Sequence, residues 1–224
     1  SDLNSSTVVE FVGEVSGNTF GASVGTGDWN HDGFIDIVVG APHYSSNAGR
    51  NYIFFGSSGS WPTSTPASSA NVIVNGEAAS GSGYGSTNAG DVNGDHLDDI
   101  LIGARDANCG GRSYSGRAYL IFGKNSTWAS TITIGSLALP DGVIFCGPSP
   151  TTQFSVSMAG GFDINKDGIG DFVVGAPQTM ISGIPQLGVT YIFFGRPSWT
   201  SSIVDTANST LIDGTNIVAI AGKV

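Results

Sequence analysis

One short segment occurs three times in the sequence, and this repeat limits the possible folds more than any other feature. The copies span residues 28–42, 91–105 and 163–177. Each carries Asp or Asn at positions 1, 3, 5 and 9 and continues directly into a short apolar run that ends in Gly-Ala. Because an internal repeat implies equivalent units that pack side by side, we expect a repeat architecture with these segments at equivalent places.

The spacing of oxygen atoms predicts that each segment is a calcium-binding loop. Calcium takes about six to eight oxygen ligands, and a tight loop can surround it with alternate side chains and one backbone carbonyl. Three carboxylates offset the charge of the ion, and an Asn adds a neutral oxygen. The expected ligands are Asp28, Asn30, Asp32, Asp36 and the Phe34 carbonyl; Asp91, Asn93, Asp95, Asp99 and the Leu97 carbonyl; and Asp163, Asn165, Asp167, Asp171 and the Ile169 carbonyl.

The second copy differs from the others at position 6. Gly33 and Gly168 stand there in the first and third copies, whereas the second copy has His96. A sharp turn at this position favours glycine. The second loop is therefore expected either to be strained or to turn differently.

An ordinary turn and an EF-hand are the two other interpretations of the segment. Asp, Asn and Gly are common in turns of any kind, but three copies with the same flanking residues argue against that reading. An EF-hand needs Glu at position 12 and a helix on each side. Position 12 is Val39, Ile102 or Val174, inside β-branched runs too short for helices. We therefore place the loops between strands.

The flanking residues predict four strands in each unit. A small-residue segment precedes each loop, the apolar run follows it, and an aromatic strand ending in Phe-Gly and a fourth apolar piece come next. Repeated four-stranded antiparallel units are typical of the blades of an all-β propeller, and small residues suit the crowded innermost strand. The expected blades are 13–75, 76–146 and 147–213, with strands at 21–25, 37–40, 52–56 and 72–74; at 85–89, 100–103, 119–123 and 143–145; and at 155–159, 172–175, 191–195 and 211–212.

The chain resembles a known family in these motifs. Phe20-Gly21 and Gly40-Ala41-Pro42, with an Asp-x-Asn-x-Asp-Gly-x-x-Asp loop between them, are similar to the FG-GAP repeats of integrin α-subunit propellers over roughly residues 11–222. The resemblance implies a seven-bladed propeller with calcium hairpins on one face and extracellular adhesion or ligand binding on the other. The chain departs from the pattern at His96, at Arg105 in place of Pro, and at Ser155 in place of Gly.

Both ends of the chain predict strands of incomplete blades. Residues 7–12 are expected to form a fourth strand, and residues 216–222 the first strand of a further blade. Propellers typically have four to eight blades, so three blades do not close a ring. We therefore interpret residues 1–224 as one segment of a longer propeller. Alternatively, copies of the chain assemble to cover the open edges.

The composition argues against two classes of partner. It does not decide whether the two cysteines are bonded or whether the glycosylation motifs are used. A net charge of −10 argues against nucleic acid and anionic membranes, and no apolar run is long enough to span a membrane. Cys109 and Cys146 form a disulfide or are two unrelated thiols. Sites of modest calcium affinity fill mainly outside the cell, where disulfides also persist. Asn-x-Ser/Thr motifs at Asn4, Asn125 and Asn208 are possible glycosylation sites.

Tryptophans recur after the Phe-Gly strands. Trp61, Trp128 and Trp199 are expected to be repeated packing residues, and the alternative is a platform that stacks on a sugar ring. Trp29 is different because it lies inside the first loop and has no counterpart, so exposure and a contact role are possible for it.

No residue pattern predicts catalysis. The three histidines, His31, His43 and His96, lie in or just beyond the loops and fit neither a zinc site nor a Ser-His-Asp triad. The expected function is a non-catalytic, calcium-stabilised module that binds an extracellular protein or glycan. The alternatives are a carbohydrate-binding propeller and an accessory domain of a larger extracellular enzyme.

Overall fold

The computed structural model describes residues 8–59, 61–180, 186–207 and 217–221, the last of these as backbone only. Within these ranges the chain consists of β-strands and three short helical turns, Tyr44–Asn47, Ala67–Ser69 and Ile134–Ser136. None of the helices in these ranges is long and apolar enough to cross a membrane.

Three four-stranded antiparallel units follow one another, which confirms the predicted fold class. Strand β1 (Glu10–Val12) precedes them. The first blade contains β2 (Ser23–Gly27), β3 (Asp36–Ala41), β4 (Arg50–Phe54) and, after the short β5 (Ser64–Pro66), β6 (Val72–Asn75); the second contains β7 (Ser82–Gly90), β8 (Asp99–Ala104), β9 (Arg117–Ile121) and, after β10 (Thr131–Thr133), β11 (Gly142–Cys146); the third contains β12 (Met158–Phe162), β13 (Asp171–Ala176), β14 (Val189–Phe193) and, after β15 (Ile203–Asp205), β16 (Ile217–Ala221). Within each blade, neighbouring strands pair antiparallel.

Three short strands link each blade to the unit before it. β5, β10 and β15 lie in the connections between third and fourth strands, and they pair in parallel with β1, β6 and β11 respectively. The second and third blades therefore each contribute a strand to the outer edge of the blade before them, and β5 of the first blade pairs with β1 in the same way. β1 thus has the same kind of pairing partner as β6 and β11, the fourth strands of the first and second blades.

The prediction for residues 216–222 is wrong in its strand position. Instead of opening a further blade, β16 pairs antiparallel with β14, with Ile220 opposite Thr190, and is the fourth strand of the third blade. The third blade therefore extends to residue 221 rather than ending at 213. The connection 194–216 is longer than its counterparts 55–71 and 122–141, so the fourth strand comes later. The predicted strand at 211–212 lies outside the described residues.

The apolar core lies between the blades. Adjacent residues of a strand face opposite sides of the sheet, yet Val38 and Val39 are both buried because each side of the first blade is covered. Val38 packs in the cluster between the first and second blades, whereas Val39 packs on the other side with Phe11 and Phe54. A third cluster, which includes Leu101 and Phe172, fills the space between the second and third blades.

The innermost strands meet where side chains are smallest. A Cβ added at Gly25 in β2 would lie 2.8 Å from the Thr87 Cα atom in β7, and one at Gly160 in β12 would lie 2.7 Å from the Ala89 Cα atom. These distances are shorter than van der Waals contact, so the first strands of neighbouring blades approach closely only because small residues are present there.

Candidate metal sites

The three predicted loops are hairpins that join the first and second strands of each blade. In the first hairpin, Asp28 accepts hydrogen bonds from the backbone N–H groups of Asp32 and Gly33, at 3.1 and 3.0 Å. The Asn30 amide oxygen accepts from Asp32 N–H at 3.2 Å, and the Asp32 carboxylate accepts from Phe34 N–H at 2.9 Å. The same bonds recur at equivalent residues in the second and third hairpins. The oxygens at positions 1, 3 and 5 therefore all turn toward their own loop.

The carboxylate at position 9 is buried and holds two parts of its blade together. Asp36 accepts from Trp29 N–H at 2.9 Å and, through its other oxygen, from Gly56 N–H at 2.8 Å. Gly56 is the glycine of the Phe-Gly pair that directly follows the third strand, β4. Equivalent pairs of bonds join Asp99 to Val92 and Gly123, and Asp171 to Ile164 and Gly195. The sequence predicted position 9 as a ligand alone, although the Phe-Gly pair in every repeat was a visible signal of this second role.

Burial and neighbouring charges make two of these carboxyls weak acids. Burial raises the pKa of Asp36 to about 6; backbone N–H groups of Gly56 and Trp29 oppose the rise, and the charges of Asp32 and Asp28 add to it. Burial likewise raises the pKa of Asp99 to about 8, with the same pattern of opposing N–H groups and added repulsion. Carboxylates in one hairpin therefore repel one another, and a divalent cation among them would relieve that repulsion.

Position 6 of the second hairpin is strained rather than differently folded. His96 has a φ of 70°, close to the 85° of Gly33, and its N–H donates to Asp91 at 2.9 Å as the glycine N–H does in the first hairpin. Position 4 is also left-handed in every hairpin: His31 has a φ of 57°, and Gly94 has one of 75°. The second hairpin thus has its glycine at position 4 instead of 6, and the third follows the first. Gly94 was the signal in the sequence that the second hairpin keeps the same backbone.

The hairpins suit calcium in donor chemistry, although their side chains are not gathered around one point. In the described part of the chain, no group of three or more Asp, Glu, His or Cys side chains lies close enough to hold a metal ion in its present arrangement. The oxygens accept backbone hydrogen bonds instead. All the predicted ligands in each hairpin are oxygens, which calcium prefers, and each of their carboxylate oxygens keeps a lone pair beyond the single N–H that it accepts. Side-chain rotations would be needed to bring these oxygens around one ion.

The remaining predicted residues fall in several places. Cys109 and Cys146 are joined by a disulfide that links the connection after β8 to the end of β11. Asn125 is exposed, and Asn4 and Asn208 lie outside the described residues. His43 is at the opposite end of the blades from the hairpins, with its Nε2 atom 3.1 Å from the Tyr84 hydroxyl.

The tryptophans are packing residues. Trp61 contacts the Phe54 ring at 6.4 Å between ring centres, Trp128 contacts Phe55 at 5.7 Å, and Trp199 contacts Phe145 at 5.6 Å. The expectation that Trp29 could be exposed is wrong.

Trp29 is fully buried, because it fills the space between the first and second blades. Its ring nitrogen donates to the Asn88 side chain at 3.3 Å.

Comparisons with known proteins agree with the repeat. A sequence model of the FG-GAP repeat matches residues 20–54, 82–121 and 154–193. Integrin alpha-6 of Gallus gallus is 31% identical over 178 residues, which are 77% of this chain and 15% of that protein. Integrin alpha-PS2 of Drosophila melanogaster is 32% identical over 183 residues, 79% of this chain and 12% of that protein. Phosphatidylinositol-glycan-specific phospholipase D of Bos taurus is 32% identical over 132 residues, 55% of this chain and 15% of that protein. The chain thus spans a small part of the length of these relatives.

Proposed function

The chain belongs to the FG-GAP repeat family, and we propose that it is a calcium-binding, non-catalytic segment of an integrin-like extracellular propeller that acts in adhesion or ligand binding. The observation that carries the proposal is the threefold recurrence of a hairpin whose predicted ligands are all oxygens and whose internal hydrogen bonds are the same. The similarity to integrin α-subunits supports the location and the role in adhesion.

Calcium would have a structural role in this proposal. The first hairpin would hold it with Asp28, Asn30, Asp32, Asp36 and the Phe34 carbonyl, and the other two would use their equivalents. The ion would supply positive charge among mutually repelling carboxylates. It would also fix the hairpin between the first two strands of a blade, because the ligands span the whole turn.

The recognition surface would lie at the end of the blades opposite the hairpins. Connections between second and third strands are at that end, because the strands are antiparallel. There the Arg50 guanidinium stacks on the Tyr44 ring and that of Arg105 stacks on Tyr84, each 3.7 Å from the ring centre. Tyr114, in the same region of the second blade, is 56% exposed. Tyr and Arg are enriched among the residues that dominate binding energies at protein interfaces, so this surface fits a protein ligand.

A further blade is proposed to cover the outer face of the third blade. Position 2 of the hairpins is buried by the next blade at Trp29 and Val92, whereas Ile164 is 46% exposed. Val173 and Ile192 on the same face are only partly buried. The covering blade would come from more of the same protein or from a second copy.

The calcium proposal is tested by calorimetric melting with and without a chelator. At calcium tenfold above Kd, each occupied site would add about 1.4 kcal/mol to the free energy of unfolding. Three sites would then raise Tm by about 10 °C for a chain of this size. Substituting both Asp28→Asn and Asp32→Asn should remove one third of the rise, and magnesium at the same concentration should produce a smaller one. Equal melting curves in calcium and chelator would contradict the proposal.

The adhesion proposal is tested on a panel of purified extracellular matrix proteins, with a glycan array in parallel. Tyr114→Ala and Arg105→Ala should weaken binding to the matrix protein that the chain recognises. Ile35→Ala, a change of an exposed residue on the hairpin face, should leave binding unchanged. Binding to glycans alone would favour a carbohydrate-binding propeller instead.

A second candidate function is an accessory domain of a larger extracellular enzyme. Its support is the similarity to phosphatidylinositol-glycan-specific phospholipase D, over 55% of this chain. The full-length protein would distinguish the two, because an accessory domain would be attached to a catalytic domain.

A further inference from the structure

The three hairpins are connected to one another across the blade boundaries by backbone hydrogen bonds. The carbonyl of Trp29, at position 2 of the first hairpin, accepts from Lys124 N–H in the second blade at 3.0 Å. The carbonyl of Val92, at the same position of the second hairpin, accepts from Arg196 N–H in the third blade at 3.0 Å. Trp199 adds an indole N–H to the Val92 carbonyl at 3.4 Å.

Each of these backbone bonds lies next to a bond that reaches the buried position-9 carboxylate of the next hairpin. Lys124 follows Gly123, whose N–H donates to Asp99. The other oxygen of Asp99 accepts from Val92 N–H, and the Val92 carbonyl accepts from Arg196 N–H. We call this series of bonds, from Trp29 through Lys124, Asp99 and Val92 to Arg196 and Asp171, the inter-hairpin path.

A second contact supports each boundary. Asp98, at position 8 of the second hairpin, accepts from Asp28 N–H at 3.4 Å and from the Asn88 side chain at 2.9 Å. Gly170, at position 8 of the third, donates its N–H to the Asp91 carbonyl at 2.6 Å. Position 1 of one hairpin is thus tied to position 8 of the next. Among the described residues, by contrast, no such bond joins the first hairpin to the third.

We propose that calcium in one hairpin strengthens calcium binding in the adjacent hairpin through the inter-hairpin path. The inference rests on the proposed calcium-binding function. An ion that orders one hairpin also fixes the carbonyl at its position 2, which anchors the Phe-Gly turn of the next blade. The next ion then orders a hairpin that has already lost part of its freedom, and binding partners that share an ordering cost bind with positive cooperativity. Repulsion between two bound ions would have the opposite sign.

The test uses calcium titration calorimetry on three variants of the whole chain, each with one hairpin disabled. Asp→Asn pairs at positions 1 and 5 remove the ion charge partners and leave position 9 and the path intact: Asp28 with Asp32, Asp91 with Asp95, or Asp163 with Asp167. Each variant keeps two hairpins. In the two variants with adjacent hairpins, the second ion should bind about fivefold more tightly than the first after statistical correction, which is at the low end of typical coupling factors. In the variant that keeps the first and third hairpins, the factor should be close to one, because the path between them runs through the second hairpin, which then holds no ion to order it.

A second pair of variants tests the path itself. Lys124→Pro removes the N–H that reaches Trp29, whereas Lys124→Ala keeps this N–H and loses only the side chain. Measured with the third hairpin disabled, Lys124→Pro should lose the cooperativity and Lys124→Ala should keep it. The comparison of the three variants with one disabled hairpin each does not use Lys124→Pro. A folding defect in Lys124→Pro would therefore leave that comparison valid.

The outcomes separate this inference from the function on which it rests. Equal factors in the adjacent and separated pairs, with two ions bound in each, would overturn the coupling and leave calcium binding in place. An absence of binding heat in the unsubstituted chain would overturn both. Titration at about 1 M salt, where the Debye length is about 3 Å, should leave the adjacent-pair factor above one if hydrogen bonds rather than long-range charges carry it.

Discussion

At position 9 of each hairpin, a single carboxylate joins the hairpin to the segment that follows the third strand. Asp36, Asp99 and Asp171 are fully buried, and each accepts N–H groups from two separate segments. A residue that fits a ligand pattern can therefore be required for the fold without a metal. Substitution at position 9 tests both roles at once, and positions 1 and 5 are better places to test metal binding alone.

The first prediction concerns strain at His96. A left-handed conformation costs an L-residue about 1–2 kcal/mol, and glycine avoids this cost but loses about 0.5–1 kcal/mol in chain entropy. His96→Gly should therefore raise the free energy of unfolding by about 0.5–1 kcal/mol, measured by urea denaturation. His96→Ala is the matched control, since it removes the imidazole and keeps the Cβ atom. A gain in the alanine variant equal to that in the glycine variant would show that the ring, not the backbone, causes the strain.

The second prediction concerns pH. The pKa of Asp99 is about 8 in the folded chain against 3.8 for an ordinary Asp, so the folded state binds this proton more tightly than the unfolded state. The resulting stability is complete below about pH 4 and is lost as pH rises through about 8, with a slope of at most about 1.4 kcal/mol per pH unit. In chelator, the free energy of unfolding should carry this downward contribution, and Asp99→Asn should remove it. Asp141→Asn, a change of a largely exposed carboxylate, controls for the loss of one charge. The increase in the free energy of unfolding on addition of calcium should also be larger at pH 8 than at pH 5.

At the scale of the strand, a strand could be predicted from the sequence when it was long enough and had a clear apolar pattern. The apolar runs after each hairpin are continuous and β-branched, so β3, β8 and β13 were placed correctly. β5, β10 and β15, which we call the exchanged strands because each pairs with a strand outside its own blade, were not predicted. Each has only three residues, which leaves no local periodicity. β16 was visible as a strand but was assigned to the wrong blade, since a short apolar segment fits an inner or an outer position equally well. In the candidate sites, the spacing of the proposed ligands was visible in the sequence, whereas the hydrogen bonds between hairpins depend on backbone groups that are distant in the chain.

The third prediction tests the close approach of the innermost strands. A Cβ atom at Gly25 would lie 2.8 Å from the Thr87 Cα atom and 3.1 Å from a Val38 methyl carbon. Since a backbone atom cannot move aside easily, Gly25→Ala should lower the free energy of unfolding by about 1–3 kcal/mol. Gly59→Ala is the control, because its Cβ would have no neighbour closer than 3.8 Å. Chemical denaturation of both variants gives the comparison, and equal stability would show that the first two blades can separate at little cost.

At the scale of the whole molecule, each blade is stabilised by the blades or strands that pack on either side of it. Each sheet buries apolar residues on both faces only where a blade or strand lies on each side, and the exchanged strands add a backbone connection at each boundary. Stability should therefore depend on the number of covered faces, as expected for a repeat protein with nearest-neighbour interactions. One face of the third blade is less completely buried than the corresponding face of the first and second blades.

The last prediction measures that dependence at one hairpin position in two environments. Val92 is fully buried between the second and third blades, whereas Ile164 at the same position is 46% exposed. Val92→Ala should lower the free energy of unfolding by about 2 kcal/mol, the value of a buried Val side chain, while Ile164→Ala should change it by less than about 0.5 kcal/mol, as at other surface sites. In a longer protein that supplies the next blade, the Ile164→Ala cost should rise to about 2–5 kcal/mol, the range for a buried Ile. Denaturation of both chains, each unsubstituted and with either variant, gives four changes in the free energy of unfolding. If Ile164→Ala costs the same in the two lengths, a following blade does not cover this face, and the surface must be buried by another copy or stay open.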